Sequence, residues 1–126
     1  MLLVLTFSIA LIRFGSSLSL YDYGIGISNA SYYTSLVVQC TTNDKPMGAM
    51  TINTRSQQDF KCPWLVGERS LATCDLTMGT LRGRFDFFDS NRDLKRCKDK
   101  YCLWIVHESG LYMRIDDRDV LQYRWP

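Results

Sequence analysis

Past its first twenty residues the chain consists of short β-branched and aromatic runs separated by turn residues, and none repeats apolar residues at a helical spacing. Tyr23 to Ser28 alternates glycine with isoleucine, and Ser35 to Thr41 reads SLVVQCT before the turn signal Asn43-Asp44-Lys45-Pro46. Further runs follow at Met47–Asn53, Asp59–Val66, Leu71–Thr77 and Gly83–Asp89. Pro63 marks the fourth as an edge strand or a bulge, because proline has no N–H for a ladder. Tyr101–His107 is apolar on both faces, as in a central strand, and Glu108-Ser109-Gly110 is a short hairpin loop leading into Leu111–Ile115. Asp116-Asp117-Arg118-Asp119 makes another turn before Val120–Trp125. Eight or nine strands at this spacing predict an all-β, single-domain antiparallel β-sandwich.

The N-terminus is different. Met1 to Ile12 is almost unbroken apolar sequence, followed by Arg13 and by the small residues Gly15, Ser16, Ser17 and Ser19. It is too short to span a bilayer but suits the apolar region of a secretory signal. Residues 1–19 are therefore expected to be a signal peptide and residues 20–126 a secreted, extracellular domain. Removing 19 of the 126 residues leaves 107, enough for one core. The formal net charge of +2 falls to +1 with the loss of Arg13, which gives no basis for nucleic-acid binding.

The compartment decides how the five cysteines read. Cys40, Cys62, Cys74, Cys97 and Cys102 in a small secreted domain indicate disulfides, with one thiol left over. A zinc site needs paired Cys-x-x-Cys or Cys/His spacings, and His107 is the one histidine, so no metal or other cofactor is expected. Asn29-Ala30-Ser31 is an N-glycosylation sequon, which makes Asn29 a candidate glycan site.

Catalytic patterns are weak. Asp89-Ser90-Asn91-Arg92-Asp93 opens like a calcium loop, but Leu94 and Lys100 stand where an EF-hand needs Gly and Glu, so a solvated turn is expected. His107 has no thiolate or serine partner identifiable in sequence, the GxSxG elbow is absent, and most carboxylates lie in turns beside Lys or Arg. Those neighbours would keep them ionised rather than poised for acid catalysis. No enzymatic activity is expected. Arg92 to Lys100 holds five basic and two acidic residues and would suit an acidic wall polysaccharide, an anionic membrane or a receptor. Trp104 is expected in the core and Trp125 at the closure of the sandwich; with Trp64 they are the alternative material for a carbohydrate surface.

In order along the chain, SLVVQC before a polar turn ending at Gly48, the aromatic stretch Phe60 to Leu71 before Cys74, and GRFDFFDSNRDLKRCKDKYCLWIVHESGLY resemble the plant self-incompatibility S1 proteins and their S-protein homologues. The resemblance spans roughly residues 23 to 115, and its most specific part is the Arg-Asp, Cys, Cys-x-Trp pattern at Arg92-Asp93, Cys97 and Cys102–Trp104. Gln39 in place of a histidine, Lys45-Pro46-Met47 in place of an acidic turn, and Ala72 and Leu76 beside Cys74 mark a divergent homologue; Cys62 has no counterpart in the family.

The resemblance assigns Cys40, Cys74, Cys97 and Cys102 to two disulfides and leaves Cys62 as the unpaired thiol. Three connectivities remain open. It also implies a monomeric extracellular ligand that acts in cell–cell recognition by binding a plasma-membrane receptor on another cell. The best-known members are pistil proteins that bind a pollen receptor and arrest self-pollen. The receptor contacts are expected in three loops: Thr42–Pro46, with Asn43, Asp44 and Lys45; Ser90–Lys100, with Asn91, Arg92, Asp93, Lys95, Arg96 and Lys98; and Asp116–Asp119, with Asp116, Asp117 and Arg118. The alternatives are a secreted carbohydrate binder or small hydrolase, and a secreted structural or inhibitory protein.

Overall fold

A computed structural model describes residues 19–65 and 68–126 of the chain. Residues 1–18 of the expected signal peptide 1–19 lie outside the described residues, and Ser19 opens the first strand. Nine strands follow in order: β1 (Ser19–Asn29), β2 (Leu36–Thr42), β3 (Lys45–Ile52), β4 (Gln57–Leu65), β5 (Leu71–Met78), β6 (Leu81–Asp89), β7 (Tyr101–His107), β8 (Gly110–Ile115) and β9 (Arg118–Tyr123). Between β6 and β7 lie the single helical turn α1 (Ser90–Asp93) and a 3-10 turn at Lys98–Lys100.

The strands form two packed sheets, one ordered β4-β1-β7-β8-β9 and the other β3-β2-β5-β6. β7 is central and β4, which carries Pro63, is an edge, as the sequence predicts. Ladders are antiparallel except for β1 and β7, which run parallel from Gly24–Tyr101 to Asn29–Val106. That pairing joins strands more than seventy residues apart and has no local sequence signal.

Alternation fills the core. Leu36, Val38 and Cys40 of β2 face inward with Ala72, Cys74, Leu76 and Met78 of β5, opposite Ile25 and Ile27 of β1 and Cys102, Trp104 and Val106 of β7. Trp104 is fully buried, stacked 4.4 Å from Phe87, and its indole N–H donates to the Phe87 carbonyl at 2.8 Å. Tyr123 also stacks with Trp104, at 5.8 Å. Trp125 closes the core against Phe85 at 5.7 Å, with its N–H donating to the His107 carbonyl at 2.8 Å.

Tight turns fix the register. Asn43 and Asp44 at φ 51° and 67°, and Asp116 and Asp117 at φ 52° and 64°, make two-residue hairpin connections, and Asn and Asp tolerate this left-handed region better than other side chains. Both turns are thus shorter than the four-residue segments in the sequence, because Lys45 and Arg118 already belong to strands. On the outer face of the five-stranded sheet Tyr101 lies across β1, where a Cβ on Gly26 would overlap its hydroxyl. That hydroxyl donates to Asp59 Oδ1 at 2.8 Å, and burial together with Asp59 pushes its pKa up to about 12.

Cys40 and Cys74 are directly opposed on β2 and β5 and form one disulfide, and Cys97 pairs with Cys102. Of the three open connectivities the protein therefore has one bridge across a sheet and one short loop staple. Cys62 is the free thiol; it is buried opposite Tyr23, and burial and then Asp22 push its pKa up to about 12.

Candidate functional site

All three candidate loops converge on one end of the sandwich. The β2–β3 turn, the segment from α1 to the 3-10 turn and the β8–β9 turn sit there with the β4–β5 connection. Asn43 N–H donates to the Leu71 carbonyl at 2.8 Å, and Ser90 N–H donates to the Ser70 carbonyl at 2.9 Å. Lys98 pairs with Asp116 at 2.6 Å, and Asp116, with this cation beside it, is held below the usual carboxylate range. Asp99 and Lys100 adopt φ 55° and 58° inside the loop that Cys97–Cys102 closes.

Several expected contact residues are structural instead. Asp93 is fully buried, so it cannot reach a partner. Its carboxylate accepts from Arg92 at 2.7 and 2.8 Å, from Arg96 at 3.0 Å and from the Asp89 N–H at 3.0 Å. Arg92 also donates to the Tyr123 hydroxyl at 2.8 Å and to the Asp86 carbonyl at 3.0 Å, and Arg96 donates to Gln122 at 2.8 Å. The pair of arginines thereby ties the edge strands β6 and β9 together around one buried carboxylate. The solvated turn expected at Asp89–Asp93 is in fact this ion-pair latch, capped by Asp89, which accepts from the Asn91 N–H and from Arg69. The Arg69 guanidinium holds Asp89 below the usual carboxylate range.

Asn43 is half-buried and its side chain is engaged within the protein, accepting from the Leu71 N–H at 2.9 Å and donating to the Pro63 carbonyl at 3.2 Å. What the charged end offers to a partner is the exposed set Asp44, Lys45, Asn91, Lys95, Lys98, Asp116, Asp117 and Arg118. Of the five basic residues in Arg92–Lys100, Arg92 and Arg96 pair within the protein with Asp93, and Lys98 with Asp116. A shallow cleft of about 290 Å³ between Arg96, Tyr101, Arg114 and Asp117 is lined by residues of both signs.

The sequon lies at the opposite end, where its asparagine side chain is packed into the fold. Asn29 is fully buried, and its side-chain N–H groups donate to the Thr34 and Ile52 carbonyls, both at 3.0 Å. Its side-chain oxygen accepts from the Ser31 N–H at 3.0 Å. In the fold the buried Asn29 side chain is a pin for the β1–β2 loop. Ser31 continues the pin: its hydroxyl accepts from the Tyr33 and Thr34 N–H groups at 3.2 and 3.0 Å and donates to Glu108 at 2.7 Å. That donated proton, then the residue's own backbone N–H, then His107 hold Glu108 below its ordinary range. Sequence reading missed this loop, although Tyr32-Tyr33 is visible in it, because exposure is not written in a sequence.

His107 sits 3.5 Å from Glu108. Among the described residues no three His, Cys, Asp or Glu side chains are placed to hold a metal ion.

Residues 25–125 match the sequence profile of the plant self-incompatibility protein S1 family. No curated protein matches the chain significantly. A solved structure of a self-incompatibility protein homologue, described as one of a widespread family of small, highly stable, secreted plant proteins, superposes with a TM-score of 0.63. It covers 82% of this chain and 94% of its own at 18% identity, a likeness of fold.

Proposed function

Because the chain belongs to the plant self-incompatibility protein S1 family, we propose that it is a secreted, non-enzymatic extracellular ligand that works by binding a plasma-membrane receptor on another cell. The family match over residues 25–125 carries this reading. The apolar leader, the two disulfides and the likeness to proteins described as secreted support the extracellular location. The physical means is a cross-linked scaffold that holds exposed loops in fixed positions, so that little order has to be imposed on binding. The ligand acts as a monomer, and its exposed charged end gives long-range steering toward a partner of complementary charge.

The test is binding of the oxidised protein to plasma-membrane vesicles from floral and vegetative plant tissue, with and without protease shaving of the outer face. Saturable binding that shaving removes supports a protein receptor. Binding that survives shaving and is displaced by polygalacturonate would mean an acidic wall polysaccharide instead. No saturable binding to any membrane would sink the reading.

A further inference from the structure

We propose that the β1–β2 loop, with Tyr32 and Tyr33 at its tip and Arg55 beside it, is the anchoring surface for the receptor's extracellular domain. It is recognised by an apolar pocket for Tyr33 next to a carboxylate for Arg55. This goes beyond the ligand reading in naming a surface, and it rests on that reading for the existence of a receptor.

The first observation is exposure. Tyr33 is 92% exposed and Tyr32 65%, the two most exposed large apolar side chains among the described residues. A pair of aromatic rings held in water forgoes burial that most of the protein's other aromatics obtain.

The second is rigidity. The loop that carries them is fastened at Asn29, Ala30, Ser31, Tyr33 and Thr34. Ala30 N–H donates to the Val106 carbonyl at 2.9 Å, and Asn29 N–H donates to the Ser56 carbonyl at 2.8 Å. The buried Asn29 amide holds Thr34 and Ile52, and one Ser31 hydroxyl accepts from the N–H groups of both Tyr33 and Thr34. Tyrosines on a pre-ordered loop contribute large contact area at a small entropic cost, as in antibody combining sites.

The third is strain. Arg55 has φ 59°, a conformation that glycine or asparagine adopts more readily than arginine. There its guanidinium lies 4.4 Å over the ring of Tyr32 and donates to the Ala30 carbonyl at 3.2 Å. Among the described residues it is one of four arginines, with Arg82, Arg118 and Arg124, that no carboxylate pairs, and of these four it alone has a positive φ and an aromatic ring beneath its guanidinium. A strained, unpaired arginine stacked on an exposed tyrosine fits an outside partner better than any role in the fold.

Composition separates this end from the other. The turns 30–35, 53–56, 79–80 and 108–109 contain Arg55 and Glu108 as their only charged residues, whereas the opposite end is dense in charge. Interface centres are depleted in Lys, Asp and Glu and enriched in Tyr and Arg. A lipid headgroup layer would call for a cluster of cations, which these turns lack. A sugar would want an open flat platform, but the two rings are tilted 49° and one face of Tyr32 is covered by the guanidinium.

The experiment measures binding of oxidised parent and variant proteins to the same right-side-out plasma-membrane vesicles, intact and protease-shaved, and to phosphatidylserine/phosphatidylcholine liposomes. Tyr33→Ala is expected to weaken shaving-sensitive binding about 30-fold or more, as truncation of an anchoring tyrosine does. Arg55→Gly is expected to weaken it about tenfold while leaving the thermal midpoint unchanged or higher, because the strain is relieved. A merely structural arginine would not separate those two readouts. Charge reversal of Lys95 and Arg118 at the other end should slow association and flatten its salt dependence without approaching the Tyr33→Ala loss. Parent-level binding by both Tyr33→Ala and Arg55→Gly, with loss confined to the charged-end variant, overturns this surface and leaves the ligand reading standing. Absence of shaving-sensitive binding by the parent overturns both, and binding to liposomes that Tyr33→Ala abolishes overturns the protein partner in favour of a lipid.

Discussion

The two disulfides should contribute unequally to stability, and the difference can be worked from the chain. Cys40 and Cys74 are 34 residues apart, Cys97 and Cys102 only 5. If a bridge stabilises by restricting the unfolded chain, those loops correspond to about 3.8 and about 2.1 kcal/mol at 25 °C. All four cysteines are buried, so paired Cys→Ala changes delete a similar amount of buried sulfur from each site, and the difference of about 1.7 kcal/mol isolates loop length. Releasing Asp99 and Lys100 from φ 55° and 58° should widen the gap, because opening the short loop lets both relax. The assay is urea unfolding with linear extrapolation, comparing C40A/C74A with C97A/C102A and the parent. The first variant should also show the larger rise in m, since its unfolded chain expands more. Equal losses, or a larger loss for C97A/C102A, would refute the chain-entropy account and show that the short staple acts mainly on the folded loop.

Four further outcomes follow from named contacts. Asn29→Asp should destabilise by about 3 kcal/mol, because it aims an acceptor at two buried carbonyls, and mass spectrometry of the secreted protein should find Asn29 unglycosylated; full occupancy would contradict the buried pin. Asp93→Ala should lower unfolding free energy by about 3–5 kcal/mol, since Arg92 and Arg96 then lose their shared buried carboxylate. Asp89 has a lowered pKa in the fold, so its stabilisation is complete above the unfolded value of 3.8 and is lost as pH falls through the folded value. Asp89→Asn keeps the helix cap but should flatten the acid limb of stability against pH below about 4. Cys62, with its pKa pushed up to about 12, should resist alkylation at pH 8 in the folded protein and react once it unfolds; labelling of the native protein would contradict its burial.

The strands were legible because side-chain alternation is local: Tyr101–His107 has the same ends in the sequence and in the structure, and Pro63 marked an edge that is an edge. The candidate site was less so. Asp93, Arg92 and Arg96 looked like a charged loop because sequence shows charge but not its partners, and the fold turns them into a buried latch. Asn43 looked like a free turn tip, and its side chain instead caps Leu71 on the neighbouring strand β5. The sequon at Asn29 was legible as a pattern, but the burial of its side chain was not, because burial depends on the packed fold.

By itself the sequence determined the strands and the family resemblance, since both depend on residue identity and near-neighbour spacing, and the resemblance in turn implied that Cys62 stands apart. The tertiary structure alone decided the parallel pairing of β1 with β7, the partners of the four bridged cysteines, and the sorting of charge to one end and exposed tyrosine to the other. Those depend on which distant segments pack together, and packing is a property of the whole core rather than of any one run of residues.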